Sequence, residues 1–156
     1  MADAHLTFDS IASLKAFVGQ PAVSGDPILI DQATIDTFAE ITHDKQWIHT
    51  DPVRAAAESP FKSTIAHGLL TQSLITCWYH SCFAFPNRKL ALNYGFNKVR
   101  FPSPVPCGSK LVGSFQLTQV EDLSENEVRC HWKVTVQAEG AERPAMVADW
   151  LMQLRY

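Results

Sequence analysis

The sequence lacks strong charge of one sign and lacks the common nucleotide-binding loops. Its 156 residues carry 13 Lys and Arg against 16 Asp and Glu, and no five consecutive residues share a sign. This pattern argues against a basic nucleic-acid arm and against a patch for anionic membranes. Neither G-x-G-x-x-G nor a P-loop is present, so those phosphate-binding loops are excluded. The length predicts a single domain spanning residues 1–156.

Cysteine is scarce, and targeting signals are missing. The four cysteines form neither a C-x-x-C pair nor a zinc-ribbon spacing, which predicts four free and buried thiols: Cys77, Cys82, Cys107 and Cys130. The first residues lack the basic and apolar regions of a secretory signal. The most apolar stretch, residues 65–85, is interrupted by four polar side chains, which favours a buried helix over a membrane span. We therefore expect a cytoplasmic protein.

The hydrophobic period changes halfway along the chain. Apolar residues cover nearly every face of a segment running from about residue 66 to residue 82, which predicts one long helix in the middle of a core. Later segments alternate apolar and polar residues, as in residues 127–137, and LSEN at 123–126 predicts a hairpin turn. A further strand over residues 89–101 is expected to bend near Gly95. The fold class is therefore α+β, with the helix lying against a curved antiparallel sheet of about five strands.

Polar residues suited to acid–base chemistry lie just before this helix. Asp44 and His49 are five residues apart in a segment rich in turn formers. One interpretation is an Asp that caps a turn and a His that bonds nearby backbone. The other is an acid–base pair that shares one water molecule. His67 and Gly68 stand where the helix begins, and the free N–H groups there are suited to a developing oxyanion.

These residues resemble the signature of the MaoC-like dehydratases, the (R)-specific enoyl-CoA hydratase family. That signature places Asp and His in a D-x-N-P-[LIV]-H loop and continues with H-G at a helix. Here the loop reads DKQWIH over residues 44–49, and the H-G is His67-Gly68. The QWIH form, IAHG and NKVRFPSPVPCGS are similar to the nodulation-protein-N-like branch. The resemblance covers most of residues 10–155 and implies the hot-dog fold, in which a sheet wraps a central helix.

The resemblance also implies a reaction and the residues that perform it. The reaction is reversible addition of water to a trans-2-enoyl thioester, part of fatty acid metabolism, with acyl-CoA or an acyl carrier protein thioester as substrate. Asp44 would be the general base, and His49 would orient the water and pass the proton to C2. The Gly68 N–H would polarise the thioester oxygen, and the Thr76 hydroxyl would support Asp44. No cofactor or metal is implied, and the protein is expected to be a homodimer or a dimer of dimers.

The chain departs from the family signature at three positions. His43 stands where the family has glycine directly before the catalytic Asp. Gln46-Trp47 replaces Asn-Pro, and Thr76 replaces Ser. We expect these changes to affect the range of substrates more than the type of reaction.

Further residues are candidates for substrate binding, each with a simpler alternative. The aromatic candidates for an acyl pocket are Trp47, Phe61 and Phe101, although aromatic residues most often pack in a core. Arg100 is a candidate for the CoA phosphates, although a solvated strand face explains it equally well. His67 is a further candidate, the alternative being a helix-start histidine bonded to backbone.

Two other functions remain open on the same fold. A hot-dog thioesterase usually relies on a carboxylate on the central helix or on the opposing subunit, and residues 68–85 contain no Asp or Glu. A non-catalytic acyl-thioester-binding subunit would not need the Asp44 and His49 pair. The sequence therefore favours the hydratase over both alternatives.

Overall fold

The computed structural model describes residues 6–156, which form six helices and eight strands. The helices are α1 (Ile11–Phe17), α2 (Gln32–Thr42), α3 (Trp47–Thr50), α4 (Pro52–Glu58), α5 (Gly68–Ser73) and α6 (Ile75–Cys82). The strands are β1 (Leu6–Thr7), β2 (Val23–Ser24), β3 (Ile28–Ile30), β4 (Phe83–Ala84), β5 (Leu90–Arg100), β6 (Ser109–Ser124), β7 (Glu127–Ala138) and β8 (Met146–Arg155). The α+β class is confirmed.

Six strands form one antiparallel sheet in the order β2-β6-β7-β8-β5, with β3 also paired to β6. The expected number was about five, and the sixth arises because β2 and β3 each add a short stretch to β6. Strands β6 and β7 form the predicted hairpin. The predicted bend is confirmed: the β5–β8 register shifts between Asn93 and Gly95, and Gly95 has φ 151°, a backbone angle that glycine tolerates.

The predicted single long helix is wrong in one detail, because it is two helices that meet at Leu74. Leu74 keeps right-handed helical angles of φ −72° and ψ −12°. The Cys77 N–H, however, donates to the Leu74 carbonyl across three residues rather than four. Such a tight turn interrupts the regular hydrogen-bond ladder. Helix α5 therefore carries the start of the predicted helix and α6 carries its most deeply buried part.

Trp78 on α6 fixes the helix against the sheet. Its side chain is 1% exposed, and its Nε1–H donates to the Asp26 carbonyl at 2.9 Å. A Cβ atom at Gly113 on β6 would lie 2.6 Å from the Trp78 ring, so only glycine allows this approach. Around it the buried aromatic residues form a contiguous group: Tyr79, Phe83, Phe115, Trp132 and Trp150. The core thus lies between α6 and the concave face of the sheet.

The cysteines agree only partly with the prediction. All four are free, but only Cys82 and Cys130 are buried, and the prediction is wrong for Cys77, which is exposed. Burial raises the pKa of Cys82 to about 11 and that of Cys130 to about 12, so these two thiols stay protonated and unreactive near pH 7. Across residues 6–156, every helix falls short of the length and hydrophobicity that crossing a bilayer requires.

Candidate active site

Helix α2 ends in a left-handed residue directly before Asp44. His43, the C-cap, has φ 59° and ψ 16°. Glycine is the usual residue at such a helix end because it has no Cβ to collide with the following carbonyl. The family signature therefore has glycine at a position whose left-handed backbone conformation is unfavourable for other residues. The departure at His43 keeps the turn and adds a strain of about 1 kcal/mol.

His49 on α3 is buried and held at both its ring and its main chain. Its Nδ1–H donates to the Ile65 carbonyl at 2.6 Å. In the neutral ring, this assignment leaves Nε2 as a bare acceptor. The Gln32 amide donates to the His49 carbonyl at 2.8 Å, and the buried Thr64 hydroxyl donates to Gln32 at 2.5 Å. These contacts fix the direction in which Nε2 points.

The surroundings of His49 favour its neutral form. Burial is the largest influence and lowers the pKa of His49 below its ordinary value of 6.5. The nearby His67 lowers this pKa further, whereas the hydrogen bond to the Ile65 carbonyl and the charge of Asp44 raise it. Because the balance is a lowered pKa, Nε2 is unprotonated near pH 7 and can accept a hydrogen bond.

His67 is the N-cap of α5 and bonds back to the loop. Its Nε2–H donates to the backbone carbonyl of Asp44 at 2.9 Å, and the residue is 4% exposed. The ring stacks on His49 with centroids 3.8 Å apart and contacts Phe38 at 5.2 Å. Its Nδ1 is buried, and residues 6–156 offer it no hydrogen-bond partner. The expectation of a backbone-bonded helix-start histidine matches this geometry, with the 44–49 loop as the partner.

Three polar side chains therefore meet at the start of α5. The Asp44 carboxylate, a His49 ring nitrogen and a His67 ring nitrogen lie within 4.8 Å of one another. Asp44 is exposed, whereas both histidines are buried. Each imidazole gives one N–H to a backbone carbonyl, so a single nitrogen per ring remains for a guest. Carboxylate and imidazole groups at this spacing can hold a water molecule or, in other proteins, a metal ion.

A cavity of about 260 Å³ joins His49 to the first residue of α5. His49, Gly68 and Phe101 all line it, as do Thr71 and Ser103. A Cβ atom on Gly68 would lie 3.2 Å from the Phe101 ring, so a side chain there would crowd the wall. Gly68 is the first residue of the helix, and within residues 6–156 its N–H has no acceptor. The cavity therefore brings together an imidazole acceptor and a free backbone donor.

Thr76 lies in a different cavity. This second cavity, of about 370 Å³, is also lined by Phe38, Phe96 and Trp150. The Thr76 hydroxyl donates to the Ser73 carbonyl at 3.2 Å, a common choice for threonine in a helix. Among the residues that the structure describes, Thr76 makes no hydrogen bond to Asp44.

The remaining candidates lie outside the 260 Å³ cavity. Trp47 is half-buried with the Arg54 guanidinium 4.5 Å from its ring, and Phe61 is exposed. Arg100 is exposed and donates to the carbonyl of its neighbour Val99 at 2.7 Å. Phe61, outside the cavity, and Phe101, in its lining, are each 42% exposed, so core packing is wrong as an alternative for both.

The sequence reasoning missed several residues of the site. Thr71 is 2% exposed and lines the cavity one helical turn after Gly68. Its position three residues after Gly68 places both residues on one face of a helix, and this spacing is a signal that could have identified it. Ile65 contributes only its backbone carbonyl to His49, so its side chain carries no signal. Gln32 lies 17 residues before His49, and its role depends on tertiary structure alone.

Comparison with known proteins identifies first the fold and then the family. The solved structure of the (R)-hydratase PhaJ1 from Pseudomonas aeruginosa superposes with a TM-score of 0.66 at 26% identity, covering 86% of this chain and 79% of that one. The hot-dog fold is thereby confirmed. Residues 13–138 match the MaoC-like domain. The chain belongs to the MaoC-like dehydratase family, as the signature at residues 44–68 indicated.

Two relatives match almost the whole chain. The 3-hydroxyacyl-thioester dehydratase Z of Mycobacterium tuberculosis is 44% identical over 147 residues, covering 94% of this chain and 97% of that protein. Nodulation protein N of Rhizobium leguminosarum is 40% identical over 148 residues, covering 94% and 92%. The expected resemblance to the nodulation-protein-N-like branch is therefore confirmed.

Proposed function

We propose that the protein is a hydro-lyase that adds water reversibly to a trans-2-enoyl thioester, an (R)-specific enoyl-CoA hydratase and 3-hydroxyacyl-CoA dehydratase. The observation that carries the proposal is the approach of the Asp44 carboxylate to the imidazole of His49, whose ring lines the same cavity as Gly68. The names of the thioester dehydratase and the (R)-hydratase described above support the reaction type and the (R) configuration.

Asp44 and His49 would hold the attacking water between them. Asp44 takes one proton from the water while the oxygen of that water molecule forms a bond to C3 of the substrate. That proton passes through the bare Nε2 of His49 to C2, and the other hydrogen stays on the new hydroxyl group. The hydrogen bond from His49 Nδ1–H to the Ile65 carbonyl keeps Nε2 available for both steps.

Gly68 would stabilise the charge that develops on the thioester oxygen. When water adds to C3, electrons move toward the carbonyl and form an enolate. The Gly68 N–H is unpaired within residues 6–156 and stands at the start of α5, where the helix dipole favours negative charge. Phe101 closes one side of this approach.

The substrate would be acyl-CoA or an acyl carrier protein thioester, and the active form a homodimer or a dimer of dimers. Within residues 6–156, β5 pairs only with β8, so one long edge of the sheet is open. Leu90, Leu92 and Tyr94 are exposed along this strand. Open apolar edges of this kind favour pairing with a second copy. Light scattering is expected to show at least a dimer, and Leu92→Lys is expected to weaken it more than Leu123→Lys on β6. A monomeric wild type would contradict this assignment.

The reaction as proposed uses only water and protein groups, and so needs no cofactor or metal. The free thiols are consistent with a cytoplasmic location.

The function is tested by hydration of crotonyl-CoA and longer enoyl-CoA substrates, with the configuration of the product determined. Asp44→Asn and His49→Ala are each expected to lower kcat/KM by about 10²- to 10⁴-fold. Asp51→Asn is the matched control, because Asp51 caps α4 through the Arg54 N–H and Asn can make the same cap. Circular dichroism and melting temperature establish that each variant is folded.

The same assay separates the alternatives. Release of free thiol without hydration would indicate a thioesterase, and tight binding of acyl-CoA without turnover at any chain length would indicate a binding subunit. Either result from folded wild-type protein would overturn the proposed function.

A further inference from the structure

His67 is buried and contacts both Asp44 and His49. It is 4% exposed and is absent from the lining of the 260 Å³ cavity, which its neighbour Gly68 reaches. Within residues 6–156, its ring makes one hydrogen bond, which it donates to the Asp44 carbonyl. Its ring lies between Phe38 on α2 and His49 on α3. A residue with this set of contacts acts on the site through other residues.

We propose that His67 is a positioning residue, which ties the Asp44 loop and the His49 ring to the start of α5. This inference rests on the proposed function for its consequence in catalysis and on the geometry for the contacts. The bond from Nε2–H to the Asp44 carbonyl fixes the backbone at the carboxylate that would take the proton. The stacking contact fixes the plane of the His49 imidazole, which would pass that proton to the substrate.

The link between these groups matters because the carboxylate is otherwise weakly held. Asp44 is exposed, and its own N–H makes only a 3.5 Å contact with the Thr42 hydroxyl. The residue before it, His43, is in the left-handed region. The His67 bond, at 2.9 Å, is therefore the shortest hydrogen bond that the structure gives to the Asp44 residue. Gly68 follows His67 directly, so the same contact sets the distance from the carboxylate to the oxyanion donor.

Two substitutions separate the hydrogen bond from the stacked ring. His67→Phe keeps an aromatic ring against His49 and removes the donor. His67→Gln keeps an N–H donor at a similar reach and removes the ring. His67→Phe is expected to lower kcat by about 10- to 100-fold with KM changed less than about threefold, because a displaced catalytic group affects the chemical step. His67→Gln is expected to recover a large part of that loss.

A purely structural role makes a different prediction. In that case both variants would lower the melting temperature, while the kcat of the folded fraction would stay at the wild-type value, and this outcome would overturn the proposal. An equal loss of kcat in both variants would also contradict the assigned role of the Asp44 bond.

A second readout does not depend on turnover. NMR of the histidine C2–H signals reports on His49 in each variant. His67 is one of the groups that influence the His49 pKa, so the titration midpoint of His49 is expected to change in both variants. If wild-type protein hydrates no enoyl thioester, the proposed function fails. In that case the NMR titration still tests the contacts of His67 independently. An unchanged titration midpoint of His49 in both variants would overturn the proposed contact between the two histidines.

Discussion

The aromatic core and the loop of residues 43–49, which carries Asp44 and His49, are built in opposite ways. In the core, Trp132 and Trp150 are each at most 1% exposed, and each ring packs against several other aromatic rings. In the loop, the His49 ring is held by a single hydrogen bond, which it donates to the Ile65 carbonyl. The core is redundant, since many contacts would survive the loss of one. The loop is not, because its two key contacts are single hydrogen bonds, one from His49 to the Ile65 carbonyl and one from His67 to the Asp44 carbonyl.

Stability and function therefore depend on different parts of the molecule. Burial of apolar surface over β6, β7, β8 and α6 supplies the free energy of folding. The loop adds little apolar burial and instead fixes the directions of Asp44 and His49. Substitutions in the core are therefore expected to change the free energy of unfolding first, and those in the loop to change turnover first. Four predictions test this separation, and their expected effects decrease from the first to the last.

The largest effect is expected at Trp132. Its side chain is 1% exposed and packs edge-on against Tyr79, with the two ring centroids 5.4 Å apart. Trp132→Ala is expected to lower the free energy of unfolding by about 3–5 kcal/mol and to leave kcat unchanged well below the melting temperature. Urea unfolding measures the first and the hydration assay the second. Trp47→Ala, at a half-buried ring on α3, is the control. An equal loss of unfolding free energy in that variant would contradict the distinction between the core and the loop.

A smaller effect is expected at Thr64. Its buried hydroxyl donates to Gln32, which in turn donates to the His49 carbonyl. Thr64→Val keeps the shape and leaves the Gln32 oxygen unpaired, which is expected to cost about 1–3 kcal/mol of stability and to lower kcat by displacing His49. Ser24→Ala removes an exposed hydroxyl pair with Ser114 and should change neither quantity. Unaltered kcat in Thr64→Val would show that the Gln32 bridge does not position His49.

Two left-handed residues allow a matched comparison between the loop and the surface. His43 and Lys62 have φ of 59° and 55°. His43→Gly and Lys62→Gly are each expected to raise the free energy of unfolding by about 0.5–1 kcal/mol, since both relieve the same backbone strain. Thermal melts measure the gain, and the hydration assay shows whether only His43→Gly alters substrate range. Destabilisation by both glycines would contradict the strain argument.

The smallest effect concerns the protonation of His49. Because its pKa is lowered on folding, the unfolded chain binds the proton more tightly than the native protein. The resulting stability is complete above the unfolded pKa of about 6.5 and is lost as the pH falls through the lower, folded pKa. NMR titration should place the His49 midpoint below 6.5, and His49→Gln should remove this part of the pH dependence. A midpoint at or above 6.5 would contradict the burial argument.

The sequence predicted the parts of the molecule that depend on local pattern. Alternation identified β7, the turn formers identified the hairpin, and the loop with its H-G identified Asp44, His49 and Gly68, which the structure brings to one region. It did not predict the interruption at Leu74, because the apolar pattern continues through it. It also missed the Ile65 carbonyl and Gln32, because a backbone acceptor has no residue signature and a partner 17 positions away is set by the fold. Thr76 was expected beside Asp44, yet its hydroxyl bonds the Ser73 carbonyl instead.

The central claim is that Asp44 and His49 add water to an enoyl thioester, and one comparison tests it most directly. This is the ratio of kcat/KM for crotonyl-CoA hydration between Asp51→Asn and Asp44→Asn, two equally conservative changes in one segment, at equal folded fraction. The proposed mechanism predicts wild-type activity for Asp51→Asn and a loss of about 10²- to 10⁴-fold for Asp44→Asn. Equal activity in the two variants would contradict it.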